Sequence, residues 1–388
     1  MSDAGPISGG LQAAFWLALA VIACTYAGYP AFIGLLARLR PRPVRRGDIT
    51  PSVTVLVPAC NEAEGIAARL ENILSLDYDG RCDILMIADG STDRTVEIAS
   101  AYAGYSPERP VHILSRPGRR SKVDAIARAL PDVEGDIILL TNACHTLAPD
   151  LLRRMIPYFA DDEVGAVSGE TRTPRPLSPP RRYASLLKTW DAAVSSVMGV
   201  SDEVWAVRRS VYVPPESDVL PGDLVASLRL VERGWRVAYE PKAVAIEATP
   251  PKSLKDEWER RVWNATGRWQ AIGRLSGMLR HPQLIITLQY LGRHLLPLIS
   301  PALFGLLLLA NVGLVLHPAT AGHLTYRVAL VIQGIGYALA GLGWALAAGG
   351  YDRVPGALRV PFDLALSGVA TVAGGWRHVR RRRINKKA

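Results

Sequence analysis

Two short polar clusters, each closing an apolar run, carry the residue types best suited to chemistry. Asn61-Glu62 follows Val53 to Pro58, and Asp89-Gly90-Ser91-Thr92-Asp93 follows Cys82 to Ala88. The runs are short, apolar and β-branched, one stopped by Pro58 and the other by Asp89-Gly90, which reads as two buried parallel strands. Between them Asn61 to Leu76 carries apolar residues at Ile66, Leu70, Ile73 and Leu74, a helical period, and Ser91 to Asp93 caps a second helix starting near Arg94. An open parallel sheet takes its ligands beyond the carboxyl ends of the strands, where both clusters lie. An acid so placed accepts from a ribose hydroxyl or a base N–H, so the spacing predicts a nucleotide site.

The elements that must position these residues sit in a chain of 388 residues, enough for two or three domains, with 49% hydrophobic residues clumped rather than evenly spread. Leu11 to Leu36 is almost uncharged and long enough to cross a hydrocarbon layer of ~30 Å. Met1 to Gly10 contains no Lys or Arg, which argues against a cleaved signal peptide. Arg38, Arg40, Arg42, Arg45 and Arg46 follow, and the positive-inside rule then places the next domain in the cytoplasm. Further spans read at 295–316 and 326–348, joined by a short loop without Lys, Arg, Asp or Glu. A fourth apolar stretch, Val360 to Trp376, is shorter, contains Asp363 and precedes Arg377, Arg380 to Arg383, Lys386 and Lys387. Full crossing would translocate those basic side chains, so an interfacial or re-entrant helix is expected there.

The expected division is an N-terminal transmembrane helix at 1–37, a basic linker at 38–50, a cytoplasmic domain at 51–270, an interfacial segment at 271–294, a membrane region at 295–376 and a basic cytoplasmic tail at 377–388. The net charge of +10 gathers beside membrane segments, which points to anionic lipid head groups rather than nucleic acid. The four cysteines form no CxxC pair, and no zinc spacing occurs, which fits a reducing compartment.

Val-Pro-Ala-Cys-Asn-Glu at 57–62, followed by Ala-Asp-Gly-Ser-Thr-Asp-Arg-Thr at 88–95, resembles the opening of the family 2 glycosyltransferases. The similarity continues through Ser121-Lys122, Asp136 to Thr141, Asp162 to Gly169, Trp205 to Arg209 and Gly234 to Glu247, and so covers residues 51–270. It implies an α/β fold of the GT-A type, a nucleotide-sugar-binding domain with a mostly parallel sheet, flanked here by transmembrane and interfacial helices. The residues implied to hold a nucleotide sugar, a UDP- or GDP-sugar, are Pro58, Asn61, Glu62, Asp89, Ser91, Lys122 and Asn142. Lys122 also closes the basic loop Gly118-Arg119-Arg120-Ser121, which suits phosphate. Asp223, in Leu220-Pro221-Gly222-Asp223, matches the acid that relatives use as general base, and a helix cap is the plainer reading of it.

The chain departs from the family at several motif positions. Where relatives carry Asp-x-Asp to hold Mg²⁺ or Mn²⁺, it has Asn142-Ala143-Cys144-His145, so a divalent ion would have Asn142 and His145 as its candidate ligands. Gly222 replaces the first of two acids, and Ala127 replaces an Asn. Of a Gln-x-x-Arg-Trp motif for diphosphate and acceptor, Ala265-Thr266-Gly267-Arg268-Trp269 keeps Arg268 and Trp269; Arg261 is a further candidate, which Glu247 could orient. Trp258, Trp263 and Trp269 also suit plain interfacial anchoring. The expected activity is inverting transfer at the inner (plasma) membrane to a polysaccharide, glycolipid or lipid-linked acceptor, with a homo-oligomer or membrane partner possible. The alternative is a catalytically impaired scaffold of a membrane assembly.

Overall fold

A parallel sheet covered by helices on both faces needs strands that are apolar at successive positions. The chain supplies them at Val53–Pro58 (β1), Cys82–Ile87 (β2), Val111–Leu114 (β3) and Ile137–Thr141 (β4), of which β2 and β4 are buried throughout. The computed structural model describes residues 6–104, 106–118, 121–173, 179–201, 203–247, 253–350 and 354–385. Arg119 and Arg120 of the basic loop, and Lys386 and Lys387 of the tail, lie outside them. His145–Leu147 (β5), Val164–Arg172 (β6), Val204–Arg208 (β7) and Arg236–Glu247 (β8) complete one eight-stranded sheet of order β3-β2-β1-β4-β7-β6-β8-β5. β1 pairs in parallel with β2 and β4, β2 with β3, and β6 with β8; β7 runs antiparallel to β4 and β6, and β5 to β8. This is the mostly parallel α/β sheet the sequence led us to expect.

The α-helices are Pro6–Ala23 (α1), Tyr29–Leu39 (α2), Ile66–Leu74 (α3), Thr95–Ser100 (α4), Lys122–Ala129 (α5), Leu151–Met155 (α6), Pro179–Val194 (α7), Gly222–Glu232 (α8), Leu254–Arg274 (α9), Leu284–Tyr290 (α10), Leu296–Leu316 (α11), Leu324–Ala348 (α12) and Gly356–Asn385 (α13). α3 buries Ile66, Leu70 and Ile73 as its period predicted, but it starts later than Asn61. Asn61 takes the left-handed backbone (φ 57°), and Glu62 to Gly65 close a turn first.

Four helical stretches among the described residues are long and apolar enough to cross a membrane: Ile7–Leu39, Leu284–Leu316, Leu324–Ala348 and Gly356–Arg380. Phe15, Ala18 and Ile22 of α1 pack on Leu307, Ala310 and Leu314 of α11. Within the expected interfacial segment 271–294, α10 continues through a π-helical turn at Leu291–Leu295 into α11. Ile286, Gln289 and Tyr290 at its base are buried. There the fully buried Asp191 of α7 accepts from the Tyr29 hydroxyl and from Gln289 Nε2 (3.2 Å), and pairs with Arg293 Nε at 3.2 Å. Burial pushes its carboxyl up to about 6, against the pull of Arg293.

The basic linker is only partly available to lipid. Arg42 pairs with Glu163 (2.5 Å), Arg45 with Asp161 (3.7 Å) and Arg46 with Glu240 (3.4 Å), the last guanidinium also lying 4.1 Å from the Tyr158 ring centre. α13 lies alongside α9 and in the same direction. Asp363 meets Arg261, the Thr371 carbonyl accepts from Trp269 Nε1 (3.0 Å), and a Cβ on Gly374 would fall 2.7 Å from that of Ala265. Its contacts with the spans fall near their domain-side ends: Phe362 against Gly343 and Trp344 of α12, and Gly368 against Pro301 of α11.

Candidate active site

The loops leaving β1 and β2 are stitched together by their own side chains. Asn61 Oδ1 accepts from the Thr92 amide (2.8 Å), the Asn61 amide donates to Ser91 Oγ (3.4 Å), and the Glu62 amide donates to Thr95 Oγ1 (2.8 Å). Asp93 accepts from the amides of Ala63 (3.1 Å) and Thr95 (3.0 Å). The Thr95 hydroxyl holds the Asp93 carboxyl below the usual range, while burial, then the Asp93 charge, raises that of Glu62. Asn61 and Ser91 thus hold the two loops in register beside Pro58, the last residue of β1.

Asp89 stands beyond this stitching at the end of β2. It is only 6% exposed, and neither carboxylate oxygen makes a hydrogen bond among the described residues. Its charge is balanced by Arg128 of α5, 3.5 Å away. A buried acceptor left unmade is unfavourable by about 1–3 kcal/mol, which a ligand N–H or hydroxyl would recover.

The other end of α5 reaches the candidate base. Ser121 caps α5 by accepting from the Asp124 amide (3.2 Å), and Lys122, the first helical residue, places Nζ 2.8 Å from Asp223 Oδ2. Trp205 Nε1 donates to Asp223 Oδ1 at 3.1 Å. Asp223 sits in the first turn of α8, where the helix dipole favours a negative charge. Arg128 and Lys122 are six residues apart, about 9 Å of helix rise, so α5 supplies a cation to each carboxylate, one near either end. The missing acid at Gly222 has a steric explanation: a Cβ there would fall 2.4 Å from Val123 Cγ2 of α5.

α9 fixes the loop that carries Asp223. Gln270 accepts from the Leu220 amide (2.8 Å) and donates to the Asp218 carbonyl (2.9 Å), while Arg274 pairs with Asp218 at 2.7 Å. A Cβ on Gly267 would fall 1.6 Å from the Leu220 carbonyl oxygen, so only glycine admits this approach. Arg268 is exposed next to it. Arg261 is directed elsewhere: it pairs with Glu257 (2.7 Å) and Asp363 (2.5 Å) and donates to Ser367 Oγ (2.7 Å). Glu247, expected to orient Arg261, pairs with Arg181 of α7 instead (3.6 Å). Trp269 and Ala265 face α13, which fills the space where a Gln at 265 would project.

The corner after β4 is different in kind. Cys144 Sγ lies 3.3 Å from His145 Nδ1; burial raises the thiol and lowers the imidazole, leaving both neutral. His145 Nε2 is buried without a hydrogen bond. Beneath Asn142, the buried Arg69 donates to Thr141 Oγ1 (2.7 Å) and to Asn72 Oδ1 (2.9 Å), and burial lowers its guanidinium to about 10. Sequence reasoning missed Arg69 and Arg128; the available signal for Arg69 was a charge beside Leu70, on the apolar face of α3. No three His, Cys, Asp or Glu among the described residues gather to hold a metal ion. The Asn142 amide, the thiol and the imidazole are poor ligands for a hard divalent cation, and the carboxylates nearest them, Glu62, Glu203 and Glu247, are felt electrostatically without gathering with them into a cluster among the described residues.

The sheet places Asp89 at the end of β2, and α5 joins it to Asp223 in the first turn of α8. The model of Glycosyl transferase family 2 matches residues 54–208, and this part of the chain is a family 2 glycosyltransferase domain. The chain is 27% identical over 251 residues to the poly-beta-1,6-N-acetyl-D-glucosamine synthase of Staphylococcus aureus, covering 61% of this chain and 59% of that one. It is 24% identical over 311 residues to an N-acetylglucosaminyltransferase of a Rhizobium species, covering 72% and 67%. It thus spans about three-fifths of the staphylococcal synthase's length (59%). A mannosyltransferase of Pyrobaculum calidifontis, solved with GDP-Man and Mn²⁺, superposes with a TM-score of 0.71 at 23% identity over 95% of this chain and 99% of that one, so sheet and apolar helices belong to a shared fold.

Proposed function

We propose that this protein is a membrane-embedded inverting glycosyltransferase, taking a sugar from a UDP- or GDP-sugar to a hydroxyl of a polysaccharide, glycolipid or lipid-linked acceptor. The observation that carries this reading is α5, which pairs its Arg128 with the unsatisfied Asp89 and its Lys122 with the buried Asp223. Asp89 accepts from the nucleotide base or ribose. The acceptor oxygen attacks the anomeric carbon and its proton passes to Asp223. The bond from that carbon to the phosphate oxygen breaks, and its electron pair leaves with the diphosphate. Growing negative charge on the diphosphate is met by Lys122 and Arg268 rather than by a metal ion, since the segment Asn142 to His145, where relatives carry Asp-x-Asp, itself supplies no carboxylate.

The active domain faces the cytoplasm of a plasma membrane. Arg38 and Arg40 support this side, and α13 supports it independently. That helix follows α9 and touches the spans only near their domain-side ends, so it lies along the membrane surface and keeps Arg377 and Arg380 on the domain's side. Val360, Leu364, Val372 and Trp376 form its exposed apolar stripe, which enters the lipid.

Purified protein in nanodiscs, offered a panel of UDP- and GDP-sugars with candidate acceptors, is expected to release the nucleoside diphosphate from one of them. Absence of release from every donor, together with absence of nucleotide binding, contradicts the proposal.

A further inference from the structure

We propose that Lys122 is a donor-operated switch: without ligand it holds Asp223, and the diphosphate of an arriving donor draws it away, freeing the base only once the donor is seated. This rests on the site reading above. Each oxygen of Asp223 holds one partner, Oδ2 with Lys122 Nζ at 2.8 Å and Oδ1 with Trp205 Nε1 at 3.1 Å, and the residue is only 5% exposed, so departure of the more exposed partner opens the approach an acceptor hydroxyl needs.

The two partners differ in their freedom to leave. Trp205 is fully buried in the central strand β7, with its ring packed on Tyr212 at 5.8 Å. The Lys122 side chain is 32% exposed, against 7% for that of Asp223, and it stands on the first residue of α5. A diphosphate offers the ammonium more charge and more acceptor oxygens than one carboxylate does. The exchange conserves ion pairing: one Lys122 pair is broken as another forms, and the uncovered carboxylate turns to the acceptor O–H. The order of binding follows, donor before acceptor, and without a donor no free base is present to activate water or acceptor.

Linkage makes this testable without turnover, because whatever releases Lys122 from Asp223 must strengthen diphosphate binding. We would measure UDP and GDP affinity by calorimetry in nanodiscs for the wild type, Asp223→Asn, Lys122→Gln and the double variant, with uridine and guanosine as controls lacking phosphate. Asp223→Asn is expected to bind the cognate diphosphate about tenfold tighter, equivalent to about 1.4 kcal/mol. The nucleoside should be unaffected, Lys122→Gln should bind the diphosphate more weakly, and Asp223→Asn should bring no gain in the Lys122→Gln background. An equal gain in both backgrounds overturns the switch, since Asp223 then merely repels phosphate. No gain in either overturns it too, since Lys122 then never leaves Asp223. If the Asn variant does not fold, Asp223→Ser gives the same comparison. A wild type that binds neither nucleotide removes the site reading itself and this inference with it, and is told apart by that control.

Discussion

The candidate site has two polar corners built on opposite principles. Around α5 each carboxylate has its own cation, Asp89 with Arg128 and Asp223 with Lys122. Around Asn142 to His145 the side chains are an amide, a thiol and an imidazole, and the charges around them are mixed, with the buried Arg69 guanidinium on one side and the carboxylates of Glu203 and Glu247 on the other. The contrast shows that the chain's departures from its family are linked. In the proposed reading, basic side chains serve the diphosphate where the family's metal-binding carboxylates are replaced, and Gly222 makes room for α5, which presents Lys122.

The comparison breaks most readily at the base. Asp223→Asn is expected to lower turnover by about 10²–10⁴-fold, the usual contribution of a positioned general base, in a steady-state assay of diphosphate release; unchanged turnover would assign Asp223 to a helix cap alone. The α9–α13 joint comes next. Arg261→Ala leaves Glu257 with Arg260 and Asp363 with Arg359 as remaining partners, so the loss stays below the penalty of about 3–5 kcal/mol for a buried charge left wholly uncompensated. The thermal midpoint should drop while UDP or GDP affinity holds; lost affinity in a variant that melts normally would return Arg261 to the diphosphate.

Gly267→Ala drives a methyl into the Leu220 carbonyl, and overpacking of this kind destabilises by about 1–3 kcal/mol. Activity should fall further than the melting temperature suggests, because the displaced loop leads straight into Asp223. Asp89→Asn keeps the shape but exchanges an acceptor for a donor, and at about 1.5–3 kcal/mol for a hydrogen bond to a charged group, nucleotide affinity should weaken by roughly tenfold or more. The smallest expected effect is at His145. Burial holds its imidazole below the ordinary 6.5, so the unfolded chain takes the proton first. Its contribution is complete above pH 6.5 and is lost as the pH falls toward the lowered folded value. Urea midpoints measured from pH 8 to 5 should decline less steeply in His145→Gln than in the wild type.

Much of this was legible in the chain itself, for identifiable reasons. β1 and β2 are buried on both faces, so their apolar runs announced them, and the acids after them followed from the strand ends. Asp223 was visible beside Pro-Gly at a helix start. What the chain concealed were partnerships across long separations. Nothing local pairs Lys122 with Asp223, Arg261 with Asp363, or Arg42 with Glu163; each depends on the path of the backbone. Arg261 and Trp269 read as ligand contacts because a motif holds only residue types, while α13, which covers them, comes about a hundred residues later. The late start of α3 was hidden for a simpler reason: Asn61 occupies a backbone conformation that its helical period does not express.

The account turns on cations in place of a metal, and one measurement tests that most directly. Nucleoside diphosphate release by the nanodisc-embedded protein is compared in excess chelator and after adding back Mn²⁺ or Mg²⁺. The account predicts release in chelator within about threefold of the metal-supplemented rate. Release that vanishes in chelator and returns in full with Mn²⁺ contradicts it, and would place a divalent ion at Asn142 and His145 after all.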